Sequence, residues 1–589
     1  MKRAAIIVAV LLAVAAIVAV AVPFVISSDF LKQRIVHRIA RITGRAVTLS
    51  GEPTLAIYPH FAVTVDGLTV ANPPGMGSDP FIAAESLRTR LRLLPLLLGR
   101  TEFDGFELVK PTIHLAVDDR GRPNWLMRDV AAIVPSGGAA PNAPAADPEL
   151  GEIQISDGTV LYDDLVSNTR EQMTAVGLDI VWPDAAAPIG GRGTMQWRGE
   201  TIEFTGMAAT PMALLGGGES AVHFAIGSTP LRLSFNGKAS TVAAPRLEGD
   251  ATASTPSLRR AIEWLGTPMG AGSILGAASV EGTVTIAGRS IAFDKAKIEL
   301  DGNSAEGRLG VDFAGPRPSV DGTLAVGTLD LSAYIEAIRA DLTADAAWLI
   351  APARLPFAEA IDADLRLSAG EVAAGAIRVG RAAATVLVRD GQVDVALGDA
   401  HFEGGTFSAH LKAGGDGEVL GATLAARFTA MPAQAALAAV AGVSALGGTA
   451  DLSLDVAGRG RSWAEFAHSV AGPGKVDLTD GLLTGFNLTN VAAALTDPLA
   501  APIAAGGDTT VFSKLEATFA VAGGEFRTDD LSMEGKDFRL SLAGDGSALS
   551  GGVKAAGRVA TDGADVQIVV GGTWRAPTIA RAAAAPNGG

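Results

Sequence analysis

Seven histidines are spread through 589 residues: His37, His60, His114, His223, His401, His410 and His468. None stands in an HExxH or comparable pair, the spacing that sets two imidazoles on one helix face around zinc. His401 and His410 come nearest, across an expected hairpin with Asp399 and Glu403 beside them. They read as surface residues of adjacent strands rather than as a metal site. Paired carboxylates, the tools of general acid–base work, occur at Asp118-Asp119, Asp163-Asp164 and Asp529-Asp530. All three lie in turn-like or strand-end sequence, where solvated carboxylates belong. Gly216-Gly217-Gly218 and Gly458-Arg459-Gly460 lack the Lys-Ser/Thr of a phosphate loop, and there is no Gly-x-Ser-x-Gly elbow. Trp125, Trp264 and Trp463 read as packing anchors at helix or strand ends. There is no cysteine, so neither disulfides nor thiolate ligands are available. The inventory predicts no enzyme, no metal and no cofactor.

What the chain holds in quantity is alternation. From about residue 190 onward, apolar and polar side chains follow each other with period two, the pattern of strands with one apolar and one polar face. Val222, Phe224 and Ile226 alternate with His223; Leu231, Leu233 and Phe235 with Arg232 and Ser234. Leu309, Val311 and Phe313 repeat the pattern, as do Ile361, Ala363, Leu365 and Leu367 against Asp362, Asp364 and Arg366. Leu452, Leu454 and Val456 follow, then Phe538, Leu540 and Leu542, then Val566, Ile568 and Val570. Asp301-Gly302, Asp321-Gly322, Asp390-Gly391 and Asp480-Gly481 are read as hairpin turns between strands. Short helices are expected at 257–265, about 330–339, 431–445 and 462–470. Roughly 30 strands at ~4.8 Å each would extend about 140 Å.

The apolar faces need a cover or a use. In a sandwich, a second sheet covers them and they are core. Three features argue for a groove instead: the strands outnumber those of one core, their lining is aliphatic and small, and the chain carries a membrane tether. The groove candidates are Val222, Phe224, Ile226, Leu231, Leu233, Phe235, Leu309, Val311, Phe313, Leu365, Leu367, Leu452, Leu454, Val456, Leu540 and Leu542. An outer-membrane barrel would carry aromatic girdles, which 3 Tyr and 7 Trp do not supply.

The tether is Ala4 to Ile26, an unbroken apolar run. As a helix at ~1.5 Å per residue it rises about 34 Å, enough for a hydrocarbon core of ~30 Å. It exceeds the ~7–15 apolar residues of a cleaved signal, although Ala19-Val20-Ala21 would suit a peptidase. Either reading sends the rest of the chain out of the cytoplasm. Asp29 to Thr43 reads as an amphipathic helix capped by Ser28 and Gly44, with Leu31, Ile35, Ile39 and Ile42 on one stripe. Its basic residues Lys32, Arg34, Arg38 and Arg41 suit a membrane surface, or solvated faces of a helix packed on the first strands. Net charge is −16 and spread along the chain, without the basic footprint of a nucleic-acid binder. Residues 135–148, PSGGAAPNAPAADP, form a linker that cannot build a core.

The order of several stretches carries a resemblance. ITGRAVTLSGEPTLAIYP (42–59), GLTVANPPG (67–75), LLPLLLGR and KPTIHLAVDDRGRPNW resemble the N-terminal region of the AsmA family. So does GEIQISDGTVLYDD (151–164), read as two strands around Asp157-Gly158. PSLRRAIEWLG (256–266), GPRPSVDGTLAVGTLDLSAYI (315–335) and the run 447–488 resemble the family's later parts. The resemblance is least clear around 340–400. It implies a mostly β fold: an elongated, curved antiparallel β-sheet groove with short helices, preceded by one transmembrane helix. The expected organisation is a cytoplasmic tip and anchor at 1–28, an N-terminal β region with its entry helix at 29–134, the linker at 135–148, β regions at 149–345 and 346–580, and a disordered tail at 581–589. It also implies an inner-membrane protein with its bulk in the periplasm, serving outer-membrane biogenesis. Its partners would be membrane lipids, phospholipid above all, with outer-membrane or other envelope proteins as further candidates and no nucleic acid. The competing expectation is a non-enzymatic assembly factor for outer-membrane proteins whose apolar face is closed as core.

Overall fold

Period-two patterning commits most of this chain to strands, and strands must pair along their edges to satisfy their backbones. The computed structural model describes residues 28–56, 62–91, 103–125, 151–184, 186–241, 245–267, 275–337, 347–375, 377–402, 404–415, 417–434, 445–547 and 550–582. The expected span Ala4–Ile26, the linker 135–148 and all but the start of the tail lie outside these residues. The chain divides into two compact units, Met1–Met269 with Ala277–Gly288, and Gly270–Gly276 with Arg289–Gly589.

The first unit opens with helix α1 (Ser28–Thr43), then β1 (Val47–Leu49), β2 (Thr54–Ala56), β3 (Ala62–Val70), β4 (Ile82–Leu91) and β5 (Phe103–Val117). After β6 (Gly151–Asp164) come β7 (Thr169–Trp182), β8 (Ile189–Trp197), β9 (Glu200–Ala208) and the short helix α2 (Pro211–Leu215). β10 (Glu219–Gly227), β11 (Arg232–Ser240), β12 (Arg246–Thr255), helix α3 (Leu258–Trp264) and β13 (Ala278–Ala287) complete it. β1 and β2 both pair with β3, and from there each strand pairs with its predecessor. Among the described strands every pairing is antiparallel except β5 with β6, which is parallel and therefore needs the long connection between them. Gly44 ends α1 at φ +66°, its N–H bonded to the Ala40 carbonyl.

The second unit repeats the plan. It runs β14 (Ser290–Leu300), β15 (Asn303–Asp312), β16 (Ser319–Asp330), helices α4 (Ala347–Ile350) and α5 (Pro356–Ala360), β17 (Asp362–Ala374), β18 (Ile377–Val379) and β19 (Ala382–Arg389). Then come β20 (Gln392–Phe402), β21 (Gly405–Gly415), β22 (Leu420–Pro432), β23 (Leu446–Gly460), α6 (Trp463–Ser469), β24 (Ala471–Thr484) and α7 (Leu488–Ala494). The last strands are β25 (Ile503–Ala504), β26 (Thr509–Ala522), β27 (Glu525–Glu534), β28 (Phe538–Ser547), β29 (Val553–Thr561), β30 (Ala564–Thr573) and β31 (Ala576–Arg581). Its one parallel step, β16 with β17, again spans a long connection. Ser257, Ser462 and Asn487 cap α3, α6 and α7 by accepting backbone N–H groups three residues on.

Asp-Gly pairs serve more than one purpose here. Asp301-Gly302 and Asp390-Gly391 are hairpin turns with φ of +50° and +83°, and +52° and +77°, the doubly left-handed backbone of a type I′ turn. Asp480-Gly481 and Asp321-Gly322 instead lie inside β24 and β16. At the first, Asp480 at φ +52° accompanies a slip in register against β23. Asp157-Gly158 likewise marks a bulge within the single strand β6, not a turn between two strands. The tolerance of Asp and Gly for left-handed backbone suits turn and bulge alike, so the dipeptide alone does not choose. The helix expected at 431–445 starts later: β22 runs through to Pro432, Ala433 and Gln434 are helical, and 435–444 lie outside the described residues.

A candidate apolar groove

Register shows which side chains share a face, because residues directly opposite in paired strands point the same way. In the first unit, one row runs Val65–Leu87–Leu108–Ile155–Leu178–Gly193–Phe204–Ile226–Leu233–Ala253–Val280, one residue from each of β3 to β13. It contains no polar side chain. The row on the opposite face begins Arg88–Glu107–Gln154–Asp179–Arg192 and is tied by charge. Arg88 pairs with Glu107 at 3.3 Å, Arg192 with Asp179 at 3.6 Å, and the Gln154 amide donates to Asp179 at 2.8 Å.

The second unit carries an equivalent row: Ala296–Gly307–Leu324–Leu367–Ala384–Leu397–Ala409–Ala426–Leu454–Gly474–Phe519. It too is apolar throughout.

Helices cover these faces only in places. Ile35 of α1, fully buried, packs with Val36, Ile39 and Ala40 onto Val63, Val65, Leu68 and Leu87. α7 and the residue after it bury Leu488, Val491, Ala492 and Leu495 against Leu478, Phe512, Leu515, Met533, Leu540, Val559 and Ile568. α5 seats Ala358 on Ala363, Val388 and Val393. Between these caps the same faces are open: Ile226 is 36% exposed and Leu411 37%. A closed core across the whole face, the competing expectation, does not match this distribution.

Most groove candidates lie on the two apolar faces. Val222, Phe224 and Ile226 on β10 stand opposite Gly237, Phe235 and Leu233 on β11. Leu309 and Val311 on β15, Leu365 and Leu367 on β17, and Leu452, Leu454 and Val456 on β23 occupy the corresponding face of the second unit. Four candidates need correction. Leu540 is 5% exposed in the closed cluster under α7, and Leu542 packs against that cluster. Leu231 sits in the turn before β11, where its carbonyl accepts from Ser228, and Phe313, 40% exposed, lies beyond the end of β15. Leu365 is itself partly closed by the α5 cluster.

Helix α1 packs on the first strands, the alternative left open beside the membrane-surface reading. Ile35 and Ile39 of its apolar stripe pack on the sheet, and Lys32 donates to the Gly51 carbonyl at 3.1 Å. Arg34 is exposed; Arg38 and Arg41 fall on the same helix, with side chains outside the described residues. Sequence reading missed α2, α4, α5 and, the longest of them, α7. Its signal was present: Leu488, Val491, Ala492 and Leu495 follow helical spacing behind the cap Asn487.

The first face carries a concavity of about 610 Å³ between β7 and β10. Leu178, Ile180, Ile189, Met195, Ile202, Phe204, Val222, Phe224 and Ile226 line it, with Gly190, Gly191 and Gly206. The Phe224 ring stacks on Phe235 with centroids 5.2 Å apart, and Phe407 stacks on Phe428 at 4.4 Å in the second unit. Several rings lie over glycines: a Cβ on Gly193 would come within 2.5 Å of Phe204, and one on Gly474 within 2.2 Å of Phe519. Rings laid over glycine fill the gap that the missing side chain leaves.

Several of the polar residues singled out earlier hold structure. His114 bonds Asp163 at 2.7 Å across the parallel β5–β6 pair, and Arg170 joins it at 2.5 Å. These bonds, His114 first, hold the Asp163 carboxyl below the usual range. Asp118 closes its turn by accepting from the Arg120 and Arg122 backbones and the Arg122 side chain. Buried Asn124 ties that turn to Ala116, His114, Asn72 and Arg45. Asp164 and Asp530 accept from nearby N–H groups, and His410 bonds Asp394 at 2.6 Å. Trp264 meets Trp197 edge-on at 4.8 Å, Trp463 meets Phe466 at 6.0 Å, and Trp125 lies 6.2 Å from Tyr162.

Among the described residues no group of His, Asp and Glu is placed to hold a metal, and no helix is long and apolar enough to cross a membrane. No curated protein matches the chain. The AsmA family model matches residues 1–244 and 216–531. With that match running through both open β units, the chain belongs to the AsmA family.

Proposed function

We propose that the protein is an inner-membrane-anchored periplasmic conduit that shields phospholipid acyl chains in outer-membrane biogenesis. The observation that carries this reading is the pair of unbroken apolar rows, open between their helical caps. An acyl chain in water loses ~0.8 kcal/mol for each exposed CH₂, a penalty that grows with every carbon of both tails. A groove that keeps the tails on an apolar surface removes most of that penalty. The phosphate headgroup stays in water beside it. No bond is made or broken, so the task needs positioning and shielding rather than catalysis. The anchor in this reading is Ala4–Ile26, which would hold the entry helix near the membrane that donates the lipid.

The reading is tested by native mass spectrometry of the full chain after detergent removal. Bound phospholipid is the expected result; lipid-free, monodisperse protein would favour an assembly role. Leu454→Arg gives a second test, since Leu454 lies half-buried on the open face of β23. Lipid occupancy should fall while the melting temperature stays near that of the parent. A chain that unfolds instead would mean that position 454 is closed core.

A further inference from the structure

The concavity between β7 and β10 owes its depth to glycines that the backbone does not require. Gly191 on β8 and Gly206 on β9 stand directly opposite each other. Neither has a left-handed φ, so an L residue could adopt either conformation. Neither is crowded: a Cβ on Gly191 would meet the Asp179 carbonyl at 3.4 Å and Ile180 Cγ1 at 3.5 Å. On Gly206 it would meet the His223 carbonyl at 3.8 Å and Phe224 Cβ at 3.9 Å. These are ordinary contacts. Gly193, one step along β8, is different, because the Phe204 ring and the Gly177 carbonyl occupy the space its Cβ would need.

Glycine inside a strand weakens it, through lost backbone entropy and the absence of a side chain to pack. Where neither φ nor close packing calls for glycine, the remaining effect is the room it leaves. That room is bounded by Leu178, Ile180, Met195, Ile202, Phe224 and Ile226. The polar neighbours Thr205 and His223 are adjacent in sequence to Gly206 and Phe224, so strand alternation turns their side chains to the opposite face. A ligand in this space finds no side-chain hydrogen-bond partner on the apolar row. Its volume, about 610 Å³, falls in the ~300–1,000 Å³ range of small-molecule sites.

We propose that this concavity is a seat for a hydrocarbon tail of an amphipathic lipid, opened by Gly191 and Gly206. The inference rests on the conduit reading and goes beyond it: the lipid does not occupy the face uniformly but dwells where the two glycines deepen it. Other lengths of the same face pass a tail; this one holds it.

The test uses the full chain reconstituted in palmitoyl-oleoyl phosphatidylethanolamine vesicles. A photoreactive benzoylphenylalanine replaces Ile226 at the seat or, in a separate protein, Leu411 on the open face of the second unit. Phospholipid adducts are read by mass spectrometry. Adducts are expected at both positions in the parent chain. Gly206→Leu should remove most of the adduct at 226, and Gly206→Ala should remove part of it. The alanine variant adds only a Cβ that the backbone accommodates, so it decides the matter if the leucine variant misfolds. Adduct at 226 that neither variant lowers would overturn the seat while leaving the conduit standing. Absence of adduct at both positions in the parent would overturn both.

Discussion

At the scale of single residues, Asp118, Asp163, Asp164 and Asp530 act as fasteners. Asp163 shows how such a fastener is measured. Its folded carboxyl is held below its ordinary value by His114 and Arg170, while in the unfolded chain it titrates near ~3.9. Its contribution is therefore fully present above the unfolded value and is lost as pH falls through the folded one. Asp163→Asn should cost roughly 1 kcal/mol at neutral pH. The cost should fade in strong acid, where both states bind the proton. Denaturation midpoints of the two proteins across that range check this. The sequence showed Asp163 and His114 only as separate turn and strand residues, because their meeting depends on a parallel pairing across a long connection.

At the scale of elements, the strands were legible and the caps were not. Period-two alternation in 222–226, 309–311 and 452–456 gave both the strands and the face they present, since strand geometry follows from local pattern. Whether a face is open depends on which helix returns to it, and local pattern says nothing about that. Leu540 and Leu454 look alike in sequence, yet α7 covers one and leaves the other. A pair of truncations separates the two conditions. Leu495→Ala, which empties a fully buried position in the α7 cluster, should lower stability by about 2–5 kcal/mol. Leu411→Ala, on the open face, should cost under about 1 kcal/mol, since its side chain already meets solvent. Chemical denaturation that ranks them the other way would place the closed core elsewhere.

At the scale of the molecule, each unit contains one parallel step, and each step is pinned by charge. β5–β6 has His114, Asp163 and Arg170; β16–β17 has Arg317 reaching Asp362 at 3.2 Å and Asp390 at 2.5 Å. A parallel pair has no tight turn to set its register, so cross-strand ion pairs take over that task. Arg317→Leu should therefore disturb the start of β17 more than the strands beyond it, as amide hydrogen exchange would show. Tethering is a separate question at this scale. If Ala4–Ile26 remains on the mature chain, its intact mass includes those residues and the protein stays with membranes through an alkaline wash. A shorter mass with release into the soluble fraction would make it a diffusing carrier.

The rings that lie over glycines have a mechanical consequence. Side chains in a protein core interdigitate, and sliding one surface past another would mean climbing out of each notch in turn. The ring of Phe204 or Phe519 occupies the space that a Cβ on Gly193 or Gly474 would need, so no such notch opens there. If tails pass as proposed, one lying outside the seat opened by Gly191 and Gly206 would meet dispersion contacts of similar strength from one strand to the next, each worth only ~0.1–0.2 kcal/mol per atom pair. On that reading the face beyond the seat would be weakly corrugated, and thermal motion alone would suffice to move a chain along it. Friction on this face would then be set by how fully its rings fill the gaps over glycine.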